Sequence, residues 1–392
     1  MIATTIAFDP SVDLNDVAAN DGYLFVRSGV GFAARGIAAH ITFSEVQETL
    51  SAIQHHNLTN LEVGPIALGV LPFDCNTDGK FLIPKQIVGK DEHGNCWLTT
   101  IDEASQDIKI AEKPVAKTNT FSVHPLTPID HYLQAVSKAR DAVRDGHITK
   151  AVVAREIIVE AEQPIDVHAV LHRLRATFGN SYRYSIDGFI GASPELLIEV
   201  QGQTIRSHPL AGTTPRTGDP VADTELARQL VASMKDQVEH RVVIDVIHDM
   251  LLPFCSYLDW EPEPSVIQVA NVQHLGTLIE GHLSQNHPPV LELARMLCPT
   301  PALGGHPRAQ ALEIIEQVEG FDRKNYGGAV GWIDASGNGT WAVAIRCAEL
   351  SEDRKTARII AGGGIVAASD PNAELAETQA KFQAMLSAIV RP

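Results

Sequence analysis

The run GGGIVAASDPNAELAETQAKFQAMLSAIV, Gly362 to Val390, governs how the rest of the chain is read. It opens with three glycines inside an otherwise apolar strand, expected over Arg358–Val366, and passes through Ser369–Asp370–Pro371 into a helix expected over Pro371–Val390. Asp370 supplies an N-cap and Pro371 the favoured first-turn proline, while Leu375, Phe382, Leu386 and Ile389 make an apolar stripe. Three glycines weaken a strand, and here they signal close approach of a ligand or another backbone. Glu374, Glu377, Thr378 and Lys381 fall at i, i+3, i+4 and i+7 and share a separate helix face. On an isolated helix that face would be a solvated Glu377–Lys381 pair worth about 0.3–0.5 kcal/mol. Next to a glycine strand it becomes a candidate wall of a site.

Working outward, His131–Arg144 carries Tyr132, Val136, Ala139 and Val143 at helical spacing and stops at Gly146. A strand is expected directly after it, over Lys150–Val159. Arg183–Ile190 and Leu196–Val200 read as a strand pair, and Gly327–Ile333 and Trp341–Cys347 as further strands. Asp223–Leu252 reads as one long helix with an apolar stripe through Leu230, Met234, Val238 and Val242. Nearer the start, Tyr23–Val26, Ile66–Phe73 and Phe81–Val88 read as strands around one helix at Phe43–His55. The polar, proline-containing stretch Glu112–Pro128 is the best internal boundary, separating a strand-rich part (1–120) from the remainder (125–390).

Composition narrows the class of function. Against 31 lysines and arginines stand 48 aspartates and glutamates, a net charge of -17 with no basic run, which disfavours nucleic acid and anionic membrane as partners. The longest uncharged stretch, Pro264–Ile279, is too short and polar to span a bilayer. The five cysteines are scattered without a CxxC pairing and Met1–Asp9 lacks a basic leader, so buried thiols in a reducing cytoplasm are expected. No GxGxxG or P-loop supports a nucleotide cofactor.

Four further groups could carry chemistry. Lys235–Asp236–Gln237–Val238–Glu239–His240 is an acidic helix segment, by itself a surface cluster. Two glutamates from two helices are, however, what Mg²⁺ needs when water and a substrate oxyanion fill its other positions. Lys150 opens an apolar strand. It is either an edge lysine that snorkels or, inside a closed pocket, a desolvated amine able to act as a base. Glu195, between Phe189–Ile190 and Leu196–Ile198, is either a paired core acid or a carboxyl held protonated. The turns at Pro209–Thr213 and Pro299–Gly305 are suited to presenting backbone amides.

These segments, in this order, resemble the chorismate-utilising enzymes, which include anthranilate, aminodeoxychorismate, isochorismate and salicylate synthases. The resemblance runs from about Pro128 to Val390. It rests on GASPELL at Gly191–Leu197, PLAGT at Pro209–Thr213, KDxxEH at Lys235–His240, NYGGAVG at Asn325–Gly331, AIR at Ala344–Arg346, GxGIVAxSDP at Gly362–Pro371 and ExxETxxK at Glu374–Lys381. It implies one α/β (α+β) domain over 1–392, intertwined and monomeric, with antiparallel-rich sheets flanked by helices, and a Mg²⁺-dependent site for chorismate between the sheets. By the same resemblance Glu239 and Glu377 are the metal ligands. Arg346 and Tyr326 contact the enolpyruvyl carboxylate, Gly212 and the strand around Gly363 present amides, and His274 lies beneath the ring. Lys381 supports the metal or the substrate carboxylate.

The subclass turns on a few positions. Lys150 resembles the lysine that activates water in isochorismate and salicylate synthases, where ammonia-using enzymes usually have glutamine. Ala211 stands where aminodeoxychorismate synthases have a nucleophilic lysine. The run PTPALGGHPR at Pro299–Arg308, with Ala302 and Leu303 expected at the substrate, resembles isochorismate synthases and argues against pyruvate elimination. With GWID at Gly331–Asp334 it looks closer to menaquinone-pathway than to siderophore-pathway enzymes, although Asn325 stands where the former have tryptophan. The implied reaction is chorismate to isochorismate, with Lys150 as base and Glu195 as acid. Salicylate synthase, anthranilate synthase component I and an inactive chorismate-binding protein are the alternatives.

Overall fold

The computed structural model describes residues 1–115 and 117–391. The expected boundary at Glu112–Pro128 includes residue 116, which lies outside the described residues. The glycine strand runs over Thr356–Ile365 and pairs antiparallel along its whole length with the strand Lys150–Ala161, from Thr356 opposite Glu160 to Ile365 opposite Ala151. The closing helix spans Pro371–Val390, as its caps dictate: the Asp370 carboxylate accepts from the backbone N–H groups of Asn372 and Ala373 at 3.0 and 2.9 Å. Its buried residues include Phe382, Met385 and Ile389, but also Glu374 and Thr378, so part of the polar face is enclosed too.

The fold is mixed α/β, as expected, with antiparallel sheet dominant. Twenty strands join into one hydrogen-bonded network, in which only Ile2–Ala7 with Gln54–Asn57 pairs parallel among the described residues. The N-terminal strands are woven into it: Tyr23–Arg27 pairs with Tyr182–Ile186, and Ile66–Leu71 pairs with Ala329–Asp334. A separate three-stranded sheet brings Leu210–Pro215 and Ser265–Val269 to either side of Val272–Gly276. One large apolar cluster centres on Leu68, Ile83, Val330 and Trp341; a second joins Val17, Leu171, Phe382 and Met385. Among the described residues no helix is long and apolar enough to cross a membrane.

Several expected elements are revised. Asp223–Leu252 is two helices, Pro220–Ala232 and Met234–Leu251, broken at Ser233, whose extended backbone (ψ 110°) and hydroxyl, accepting from the Asp236 N–H at 3.3 Å, start the second helix afresh. The break rotates the second helix, leaving Met234 and Val238 75% and 58% exposed while Glu239, His240, Val243, Ile244 and Ile247 turn inward. The expected stripe through Met234 and Val238 is thus the outer face, and Glu239 rides on the inner one. Phe43–His55 shrinks to a 3-10 turn and the helix Val46–Ser51, because Gln54–Asn57 is drawn into the sheet. Arg183–Ile190 is a hairpin turning at Asp187–Gly188, and Trp341–Cys347 is interrupted at Arg346, whose φ is +50°.

One buried ion pair fixes the strand that begins at Lys150. Arg323 and Glu319, at most 2% exposed, bond to each other through two N–H groups of the guanidinium. Arg323 also donates to the carbonyls of Val152 (2.7 Å) and Leu303 (2.8 Å), and Glu319 accepts from the Ala154 N–H at 2.6 Å. Replacing Arg323 leaves the buried Glu319 charge without its cation and the Val152 and Leu303 carbonyls without this donor. Arg323→Met is therefore expected to cost about 3–5 kcal/mol in urea denaturation, with the double replacement Arg323→Met, Glu319→Met recovering part of it.

Candidate active site

The glycine strand, the closing helix and the Met234–Leu251 helix converge on a cavity of about 710 Å³, including its mouth. Its lining includes Glu195, Gly212, Glu239, His274, Ala302, Leu303, Tyr326, Arg346, Glu377 and Lys381, gathered from eight separate stretches of sequence. A cavity of this size with few convergent polar groups suits a small organic ligand.

The three glycines act through what they omit. A Cβ on Gly363 would lie 2.6 Å from Glu374 Oε2, and one on Gly364 would press on the Glu239 carboxylate and on Lys150 Cε at 2.9 Å. The bare strand thereby lets carboxylates from two helices reach its backbone. Gly362 and Gly364 line the cavity. Gly363 does not, because its side of the strand is turned toward Glu374. Gly212 sits at a bulge, with φ +74°, that takes it out of register between Ala211 and Thr213.

Three glutamates at this junction each meet a lysine. Glu239 Oε1 lies 2.9 Å from Lys150 Nζ, Glu374 Oε1 3.3 Å from Lys235 Nζ, and Glu377 Oε1 2.6 Å from Lys381 Nζ. Lys381 also donates to the Gly362 carbonyl at 2.8 Å. Burial works to raise the Glu377 carboxyl, but Lys381, its hydrogen bond and Lys235 outweigh burial and hold it low. Burial and the charge of Glu377 push Glu374 up, against the pull of Lys235. Lys150 is 1% exposed and does not line the cavity; it lies behind Glu239, close in distance but without hydrogen-bond alignment.

Glu195 differs from these three. It is 2% exposed, and burial raises its carboxyl to about 7 against one long backbone bond from Leu210 (3.4 Å) and the more distant charges of Lys150, Lys381 and Arg346. His274 is pushed well below its ordinary range by burial and by Arg346, so its ring is neutral. Arg346 donates to its Nε2 at 3.2 Å, which leaves the proton on Nδ1 to donate to the Gly212 carbonyl at 3.2 Å. Arg346 keeps a buried Nε–H at the cavity wall that has no hydrogen-bond partner among the described residues.

The donors available for a metal here are carboxylate oxygens, the ligand type Mg²⁺ prefers, and two of them line the cavity from different helices. Among the described residues their oxygens are not drawn into one tight cluster with a third ligand, and the lysines occupy part of the space around them. An ion held by these two carboxylates would complete its shell with water and substrate oxygens. Glu374, Lys235 and Tyr132 complete the junction without having been assigned a role from sequence. The signal for Glu374 was present in its i−3 position to Glu377; that for Tyr132, read only as part of an apolar stripe, was not.

The family described as chorismate binding enzyme matches residues 38–390. Isochorismate synthase DhbC of Bacillus subtilis is 35% identical over 336 residues, 83% of this chain and 81% of that protein. Isochorismate synthase EntC of Escherichia coli is 35% identical over 329 residues, covering 82% and 81%. In fold, the structure of MenF, the menaquinone-specific isochorismate synthase from Escherichia coli, superposes with a TM-score of 0.84 over 99% of this chain and 94% of that one, at 24% identity. The motifs that wall the cavity and the extent of these matches place this chain among the chorismate-binding enzymes.

Proposed function

We propose that this protein is an isochorismate synthase, which adds water at C2 of chorismate and releases the C4 hydroxyl. The observation that carries the reading is Glu195: a buried carboxyl raised to about 7 on the wall of a cavity that also offers Arg346 to an anionic ligand. The names of the relatives at 35% identity support the same reaction.

In this reading Arg346 and Tyr326 hold the enolpyruvyl carboxylate, and neutral His274 and the bulged Gly212 border the ring. Lys150 stands behind Glu239 in this structure, so acting as base requires its amine to leave that pairing; it then takes a proton from the attacking water as the water oxygen bonds to C2. The ring double bonds shift, and the protonated Glu195 donates to the C4 oxygen, which leaves as water. Atoms balance, one water entering and one leaving, and solvent returns the proton from Lys150 to Glu195 between turnovers. Glu239 and Glu377 would hold Mg²⁺, with Glu374 beside them. When bound, the ion supplies positive charge to fix the ring carboxylate and offset its negative charge.

Three measurements test this. Chorismate with Mg²⁺ should yield isochorismate, resolved by chromatography from salicylate and pyruvate. Glu239→Gln and Glu377→Gln should abolish that turnover with circular dichroism unchanged, whereas full activity in EDTA would remove the metal from the reading. Lys150→Gln should stop product formation yet still bind chorismate; loss of binding instead would make Lys150 an anchor for substrate.

The raised carboxyl gives a fourth. A general acid must be protonated, so kcat/KM should fall as pH rises through about 7. Glu195→Gln should lower kcat at least about 100-fold, the low end for a lost general acid. Folded Glu195 binds its proton more tightly than the unfolded chain does, so the native state loses stability as pH climbs from the ordinary carboxyl range to about 7. Glu195→Gln removes that loss. It should raise Tm at pH 8 by the equivalent of up to about 3 kcal/mol and leave it unchanged at pH 4. An identical Tm shift at both pH values would mean that the carboxyl is not protonated at rest.

A further inference from the structure

Away from the cavity, a second cluster joins the start of the chain to the catalytic part. Asp16, on the short helix Leu14–Ala18, meets His168 and His172, which stand at i and i+4 on the helix Val167–Phe178 and so share one face. Asp16 Oδ1 lies 2.8 Å from His168 Nε2 and 2.7 Å from His172 Nε2, and the two Nε2 atoms are 3.2 Å apart. Among the described residues this is the one group of three metal-ligating side chains whose ligand atoms all fall within 4.8 Å of one another. Asp16 and His168 are buried, and Val17, Val167 and Leu171 of the second apolar cluster pack around them. Asp16 also lies outside the residues that the family match covers.

We propose that Asp16, His168 and His172 form a structural site for one divalent transition-metal ion of the zinc class. The three ligand atoms make a triangle small enough for a single ion at ~2.0–2.1 Å from each of them to sit just above its plane, a facial arrangement with the outer positions left to water. Two imidazoles and a carboxylate select zinc-like ions over Mg²⁺, which prefers oxygen alone. Without an ion, both rings must carry protons on Nε2 to donate to the same oxygen, which sets two N–H groups side by side at 3.2 Å. With an ion, both protons move to Nδ1 and three lone pairs converge. Arg175 NH2 stands 3.4 Å from His172 Nδ1 and has to turn away; it already pairs with Asp13, which also offsets its charge near the site. The ion would clip residues 13–18 onto the Val167–Phe178 helix, so its role is to hold the fold together.

The test uses the full-length protein, stripped of metal and held in excess Mg²⁺ so that the carboxylates of the cavity are occupied. Zn²⁺ titrated by calorimetry should bind at one equivalent per chain and raise Tm, and Co²⁺ should give the visible absorption bands of a site with imidazole ligands. His172→Gln, at a partly exposed position, should weaken Zn²⁺ at least tenfold, abolish the Tm rise and leave Mg²⁺-dependent turnover unchanged. His168→Gln should do the same if it folds; His172→Gln decides the matter alone if it does not. No saturable Zn²⁺ binding by the wild type, or equal affinity in His172→Gln, would overturn the proposal and leave the cluster as a hydrogen-bonded staple.

Discussion

The constraint on which the active region depends is the burial of three glutamates at one junction, each answered by a lysine. A lone carboxylate in such a place would cost several kcal/mol or take up a proton. Glu239, Glu374 and Glu377 instead meet Lys150, Lys235 and Lys381; Lys381 holds Glu377 low, whereas burial and Glu377 still push Glu374 up. The lysines come from a strand, a helix start and a helix interior. The pairing therefore fixes the relative placement of the Lys150 strand, the Met234–Leu251 helix and the closing helix. The glycine strand is what lets the groups meet, since any side chain at Gly363 or Gly364 would occupy the space the carboxylates fill. This local balance also reconciles a chain of charge -17 with an anionic ligand: the acids nearest the cavity are neutralised in place, and Arg346 is left to face the cavity.

Glu195 shows the opposite use of burial. It receives one long backbone N–H and lies beyond direct pairing with the cations that act on it, so burial dominates and the proton stays. Glu377, lining the same cavity, has Lys381 at 2.6 Å and loses its proton readily. Two identical side chains on one wall are thus set to different states by their nearest neighbour. In the proposed reaction, such a separation would let one donate a proton while the other holds a cation.

Local signals along the chain foretold part of this arrangement. Asp370 and Pro371 fixed the start of the closing helix because capping depends on adjacent residues, and three glycines marked close approach because no other residue permits it. The helix break at Ser233 stayed hidden, since an apolar stripe across it looks continuous until the second helix rotates Glu239 inward. That Lys150 faces Glu239 could not be read from either residue alone; it follows from the pairing of Gly364 with Val152, a contact between distant strands. The φ of +50° at Arg346 is likewise a tertiary demand, for nothing in Ala344–Ile345–Arg346 favours the left-handed region.

Arg323 draws into one piece two segments to which the proposed function gives a part. Lys150, the proposed base, opens a strand, and the Ala302–Leu303 run lies in a loop about 150 residues further along. The guanidinium of Arg323 bonds at once to Val152, two residues beyond that lysine, and to Leu303 itself, while Glu319 holds the strand again at Ala154. The loop that borders the ligand and the strand that carries Lys150 therefore cannot shift independently without exposing a buried charge. A side chain that does not itself line the cavity thus ties together two residues that do, Val152 and Leu303, and precision within the cavity rests on such buried hydrogen bonds from behind its wall.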